Sequence, residues 1–298
     1  MNGCTLCPRR CNVTRPKRTD TPVLGSVCGM GSDAVVARAA LHFWEEPCIS
    51  GKNGSGTVFF SGCPLRCVFC QNRKISAERF GKALSPAELR AVFDNLIAQG
   101  AHNINLVTPT HFVPAIVEAL GDGVPVPVVY NTGGYETVET LRLLDGHVDV
   151  YLPDMKYRDS EMAKRYSKAP DYPEIAAEAI KEMFRQVGPV QFDQNGMLKK
   201  GVIIRHLILP GGLENTKAVI DWVADTFPKG AVLFSLMSQY TPVSLPDGYP
   251  ELNRRLTTRE CTRAEEYLQM RGIEAGFVQE RSSAKEDYIP AFDLTGLS

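Results

Sequence analysis

Three cysteines, Cys63, Cys67 and Cys70, fall at C-x3-C-x2-C spacing directly after the apolar run Thr57-Val58-Phe59-Phe60. So compact a loop can point three thiolates at one centre, and soft thiolate sulfur favours iron–sulfur clusters, zinc or Cu(I). Three ligands are one short of the four that usually close a structural zinc or cluster site. A cluster held here would keep one iron open to an external ligand. A second set, Cys4, Cys7, Cys11 and Cys28, lies in Cys4-Thr5-Leu6-Cys7-Pro8-Arg9-Arg10-Cys11 and Gly25-Ser26-Val27-Cys28-Gly29. Four thiolates among Pro and Gly turns suit a tetrahedral zinc or a second cluster, and a segment this short would need a metal to hold it. The competing reading is four unligated cysteines packed against the main fold. Cys48 and Cys261 read as plain buried thiols.

The elements that must position these groups follow from the rest of the chain. Its 298 residues are 44% hydrophobic and 22% charged, the composition of an ordinary globular protein. A formal net charge of -1 argues against a nucleic-acid or membrane surface. The N-terminus lacks the apolar core of a secretory signal, and no apolar run approaches the roughly 20 residues of a membrane span. Grouped cysteines without such a signal point to metal or redox chemistry in a reducing compartment, so a cytoplasmic location is expected.

From residue 57 onward, β-branched runs alternate with helical periodicity, which predicts βα units and parallel pairing. Strands are expected at 57–61, 103–107, 126–130, 148–152, 202–208 and 231–237. Helices are expected at 136–144, 173–187, 214–225 and 258–271, with a loop at 188–200. The clearest helix has Ser85 as N-cap, Pro86 at its first position and Glu88 completing a capping box. Leu89, Val92, Phe93, Leu96 and Ile97 give it one apolar face, and Gly100 ends it. The domain reading is a cysteine-rich extension over 1–50, an α/β body over 51–245 and a C-terminal helix and tail over 246–298. The body is either an open doubly wound sheet or a partial barrel, and both gather ligands at the C-terminal strand edges. Those edges carry the cysteine loop, Thr108-Pro109-Thr110-His111, Asn131-Thr132-Gly133-Gly134-Tyr135, Asp154-Met155-Lys156, Arg205-His206 and Gln239-Tyr240.

With Phe69 before the last cysteine, the loop resembles the radical S-adenosylmethionine (SAM) superfamily. The stretch from Gly54 to Asn72, continued by Asp154-Met155-Lys156, Arg205 and Leu209-Pro210-Gly211, resembles the activating enzymes of pyruvate formate-lyase and other glycyl-radical enzymes. The likeness covers roughly residues 45–245, and Cys4-Thr5-Leu6-Cys7-Pro8 matches an uncharacterised activase-like branch. It implies a partial (β/α)6 barrel with the cysteine-rich stretch as a small, metal-bound N-terminal appendage. It further implies a [4Fe–4S] cluster on Cys63, Cys67 and Cys70, with SAM chelating the fourth iron. Reductive cleavage of SAM would then give methionine and a 5′-deoxyadenosyl radical that abstracts hydrogen. Phe69 would border the adenine, while Asn72 and Lys156 would hold polar parts of SAM. Asp154 would bind SAM or a cation, and the planar fork of Arg205 suits a carboxylate. Thr132 and Gln239 complete the expected rim. A flavodoxin or ferredoxin is the implied reductant.

Two positions depart from that pattern. Thr108-Pro109-Thr110-His111 replaces the family's Gly-Gly-Glu element, which leaves the SAM amino group to the hydroxyls of Thr108 and Thr110 or to backbone carbonyls. Asn131 stands where the activases carry an aspartate, which argues against a cation site shared with Asp154. Glycyl-radical activation therefore competes with modification of a different protein, peptide or small molecule. A non-enzymatic iron–sulfur or zinc protein is the more distant alternative, disfavoured by the incomplete cysteine set.

Overall fold

The computed structural model describes residues 3–19, 21–279 and 290–297. Seven strands run parallel in the order β2 (Ser55–Phe60), β4 (Ile104–Val107), β5 (Val128–Thr132), β6 (Val150–Pro153), β8 (Leu198–Leu207), β9 (Leu233–Met237) and β10 (Gly276–Gln279). Beyond β2 the sheet continues with two antiparallel strands, β1 (Ala34–His42) and β3 (Lys82–Leu84). The two-residue β7 (Gln191–Phe192) pairs with the start of β8.

The residues of β2, β4, β5 and β6 are buried throughout, as expected of parallel strands covered on both faces. A flat sheet would hold β2 and β9 roughly 24 Å apart at about 4.8 Å per strand. Instead Cys63, after β2, and Gln239, after β9, line one cavity. Arg205 on β8 also reaches Glu45, which lies between β1 and β2, at 3.2 Å. The sheet therefore curls into the expected partial barrel rather than lying open. Helices cover its outside. In Pro86–Ala98, Ser85 and Glu88 form the predicted capping box, and Leu89, Val92, Phe93 and Leu96 face the core.

Several elements differ from the sequence reading. Ala34–His42 lies within the stretch assigned to the extension, yet it forms a nine-residue strand of the main sheet. Its alanines carry little β-propensity, and pairing with β2 decides its state. The 188–200 segment contains a short antiparallel hairpin, Gln191 opposite Lys200 and Phe192 opposite Leu198, rather than only loop. Ser160–Ser167 is a short helix, polar on average and absent from the sequence reading; Asp159 caps it by accepting from the N–H groups of Glu161 and Met162. The last helix, Thr258–Met270, carries a second capping box, formed by Thr257 and Glu260. Beyond it β10 adds a strand in the stretch read as helix and tail. No helix among the described residues is long and apolar enough to cross a membrane.

Candidate active site

The turn after β2 is built for close approach. Gly62 has φ 79°, and a Cβ there would stand 2.5 Å from the Met30 side chain. Arg66 adopts φ 52° in the middle of the 63–70 loop. This path places Cys63, Cys67 and Cys70 on one cavity of about 280 Å³. The same cavity is lined by Phe69, Asn72, Thr108, Thr110, Asn131, Thr132, Asp154, Lys156, Arg205 and Gln239, every residue the sequence nominated for holding SAM. Its volume is near the lower end for small-molecule sites.

The three cysteines suit a metal centre. Burial, reinforced by the neighbouring Cys67 thiol, pushes Cys63 up to about 12. Burial also raises Cys67, opposed chiefly by the Lys156 ammonium. Bound metal supplies the positive charge that removes such protons. Ser167 Oγ donates to Cys67 Sγ at 3.0 Å and Ser76 Oγ to Cys70 Sγ at 3.3 Å. A further group in the cavity wall, Gln239 Oε1, is buried without a hydrogen-bond partner, an acceptor suited to a bound ligand. Phe69 meets Tyr166 and Tyr240 edge to face, each at 6.3 Å, giving the site an apolar wall. Donor set, orphaned acceptor and wall all fit an iron–sulfur cluster with an organic ligand.

The charged groups below are tightly paired. Arg205 donates to Asp154 at 3.0 Å, to Glu45 at 3.2 Å and to Asn131 Oδ1 at 2.6 Å. The carboxylates it meets are thus the protein's own. Asn131 Nδ2 donates to Glu45 at 3.2 Å, so Asn131 ties the guanidinium to Glu45 instead of sharing a cation with Asp154. Lys156 Nζ lies 2.5 Å from Asp154, and an ammonium has further protons to offer the cavity. Although Asp154 is buried, the Lys156 and Arg205 cations hold its carboxyl below the usual range. His206 faces the other way, to Met155 O at 2.7 Å and Thr216 Oγ1 at 2.9 Å. Burial pushes it down to about 4, and its place is structural.

Sequence reasoning missed two carboxylates here. Glu45 follows β1 and carried no periodic or motif signal. Glu136 fell inside the predicted 136–144 helix, but the helix begins at Val138. Buried Glu136 accepts from Thr110 Oγ1 at 2.6 Å, from Thr132 Oγ1 and from Tyr130 OH at 3.3 Å. Burial drives it up to about 7. The Thr110 and Thr132 hydroxyl protons point at this carboxyl, which leaves oxygen lone pairs as acceptors, one of them on Thr132 already taking the Gly134 N–H at 3.3 Å. Thr108 takes φ 60°, unusual for a β-branched residue and a sign of local strain.

The other cysteine group lies elsewhere. Cys4, Cys7, Cys11 and Cys28 are absent from the cavity wall. Cys4 N–H donates to Val13 O at 2.9 Å and Asn12 N–H to Cys4 O at 3.0 Å, which closes a small turn around Cys7. Burial pushes Cys7 up to about 12, with the Cys28 and Cys11 thiols adding to it. Among the described residues no three or more Cys, His, Asp or Glu side chains stand together as a ready single-ion metal site, in this turn or in the 63–70 loop. Cys48 and Cys261 are buried, as expected.

A curled parallel sheet with three cysteines after its first parallel strand defines a class of α/β barrels. The radical SAM superfamily model matches residues 57–223, more than half of the chain, and the protein belongs to that superfamily. An uncharacterised protein of Methanocaldococcus jannaschii is 31% identical over 277 residues, covering 89% of this chain and 73% of that protein. Among solved structures, SuiB of Streptococcus suis bound to S-adenosylmethionine aligns over 78% of this chain with TM-score 0.50 and 13% identity. The chain spans about half of SuiB, 52% of its length. A domain of a pyruvate-formate lyase-activating enzyme from Bacteroides vulgatus covers 65% of this chain and 91% of that one, with 13% identity and TM-score 0.38.

Proposed function

We propose that this protein cleaves SAM reductively and directs the resulting radical at a protein or peptide substrate, glycyl-radical activation being the form its motifs resemble. One observation carries the reading: three cysteines from a single loop share a cavity with polar groups from five other strand ends. With a [4Fe–4S] cluster on Cys63, Cys67 and Cys70 and SAM on its open iron, the chemistry supplied is one-electron cleavage of the sulfonium and hydrogen abstraction by the adenosyl fragment.

The chain's own residues bind and orient. Lys156, steadied by Asp154, offers ammonium protons to a carboxylate or ribose oxygen. Thr110 and Thr132, whose hydroxyl protons are engaged by Glu136, present lone pairs to an amino group. Gln239 accepts a hydrogen bond, and Asn72 meets the polar parts of SAM. Phe69 and Tyr240 flank the adenine and exclude water from the reacting centre. Arg205 and Asn131 fix the floor. The electron donor would be a flavodoxin or ferredoxin in the cytoplasm.

A second metal, zinc or another cluster, on Cys4, Cys7, Cys11 and Cys28 rests on their spacing among Pro and Gly turns, and it would have to draw the four thiols together.

The test is anaerobic reconstitution followed by SAM and dithionite. Release of 5′-deoxyadenosine and methionine is expected, and a cluster-loaded protein that releases neither overturns the proposal. Transfer of the radical to a glycine-bearing loop would be read separately, by the EPR doublet of a glycyl radical in a candidate partner.

A further inference from the structure

The N-terminal appendage does more than rest on the barrel. Arg9 stands in the turn between Cys7 and Cys11 and spends its guanidinium on backbone carbonyls. Nε donates to Pro64 O at 2.9 Å, and Nη2 donates to Ser167 O at 2.8 Å and to Leu65 O at 3.5 Å. Nη1 donates to Lys168 O at 2.5 Å, and the group lies 5.2 Å from the centre of the Tyr135 ring. Pro64 and Leu65 belong to the loop between Cys63 and Cys67. Ser167 and Lys168 end the helix Ser160–Ser167, where carbonyls lack helical partners and a cation is favoured. Ser167 also donates to Cys67 Sγ, and Val68 N–H donates to Tyr166 O at 2.9 Å.

The second half of the appendage presses on the same loop. A Cβ on Gly62 would meet Met30 at 2.5 Å and Cys28 O at 3.1 Å. Arg15 donates to His111 O at 2.5 Å, and buried His111 contacts Ser61 O at 2.8 Å through Nε2. The loop, with Arg66 at positive φ and no regular structure between Cys63 and Cys70, is therefore held from outside.

We infer that the appendage is a collar for the cluster loop and that Arg9 is a positioning residue for the three cysteine ligands. The inference rests on the cluster reading above. A planar fork serving four carbonyls cannot be replaced by an ammonium.

The test uses the full chain, reconstituted anaerobically, and follows loss of the cluster chromophore under a chelator. Arg9→Ala should lose its cluster roughly tenfold faster than the natural protein, as expected for removing charge-assisted hydrogen bonds. Arg9→Lys should fall between the two, and low concentrations of methylguanidinium should slow the loss in Arg9→Ala. The EPR change on adding SAM should be altered in both variants. Arg10→Ala, on the exposed neighbour, should match the natural protein. A natural-protein lifetime and spectrum in Arg9→Lys overturns the inference even where Arg9→Ala does not fold. A natural protein that builds no cluster on Cys63, Cys67 and Cys70 fails the underlying reading instead, and the two failures are separable.

Discussion

The 63–70 loop and the N-terminal turn carry the same chemistry at similar spacing, yet their surroundings differ. Cys63, Cys67 and Cys70 open onto a cavity with Lys156, Asp154 and Gln239 around it. Cys4, Cys7, Cys11 and Cys28 lie outside that cavity; Cys4 meets Arg15, Cys11 the Val27 N–H and Cys28 the Ser26 hydroxyl. Spacing nominates a cysteine set as a ligand set. What the set can do depends on whether a substrate can reach the remaining position.

The sharpest way to break that contrast is to remove the loop cysteines. Cys63→Ala with Cys67→Ala and Cys70→Ala should abolish 5′-deoxyadenosine release and cluster iron. Metal that persists in this variant would have to belong to the N-terminal set. Next in size, Lys156→Ala should weaken SAM binding about ten- to hundredfold, because a charged hydrogen-bond donor is lost. Equilibrium dialysis with labelled SAM reads this, and unchanged affinity would remove Lys156 from the ligand contacts.

Glu136 lies between the two regions, bonded to the cavity threonines and sensed electrostatically by Cys7. Its carboxyl is raised from 4.5 to about 7. A raised acid favours the folded state most below its unfolded value, and that contribution fades as pH climbs through about 7. Tyr130, Tyr151 and Tyr172 are raised by burial, as is Cys7, so all stay protonated in this window. Glu136 alone should lower folding stability by up to about 3 kcal/mol between pH 5 and pH 8, whereas His111 and His206, held neutral by burial, act with the opposite sign in the lower part of that window. Glu136→Gln should remove the falling component, read as the difference in denaturant midpoint between variant and natural protein across pH. Smallest, Cys4→Ala with Cys11→Ala should cost about 1–2 kcal/mol and leave cluster iron in place. Equal total metal in this variant and the natural protein would show the N-terminal set to be ordinary thiols.

Much of this arrangement was legible in the sequence because it sits at strand ends. β-branched runs revealed six of the seven described parallel strands, and each run carries a cavity residue within it or just past its end. Glu45, Glu136 and Arg9 were not legible. Each acts across a long sequence separation: Glu45 on Arg205, Glu136 on Thr110, and Arg9 on Ser167. No local period encodes such pairings. The same limit hid β1, whose alanine-rich sequence becomes a strand only beside β2.

The order of the sheet also has a consequence for how the protein behaves in concentrated solution. Its described edges are β3, three residues long, and β10, four residues long. β1, at nine residues the longest strand near an edge, is shielded by β2 on one side and partly by β3 on the other. Along its remaining length the C-terminal residues bind it, with Ala39 N–H donating to Thr295 O and Leu294 N–H to Ala37 O. Short or covered edges offer little template for another chain's strand, so edge-to-edge aggregation is suppressed. A truncation that removed residues 290–297 would uncover β1 and should raise the tendency to associate.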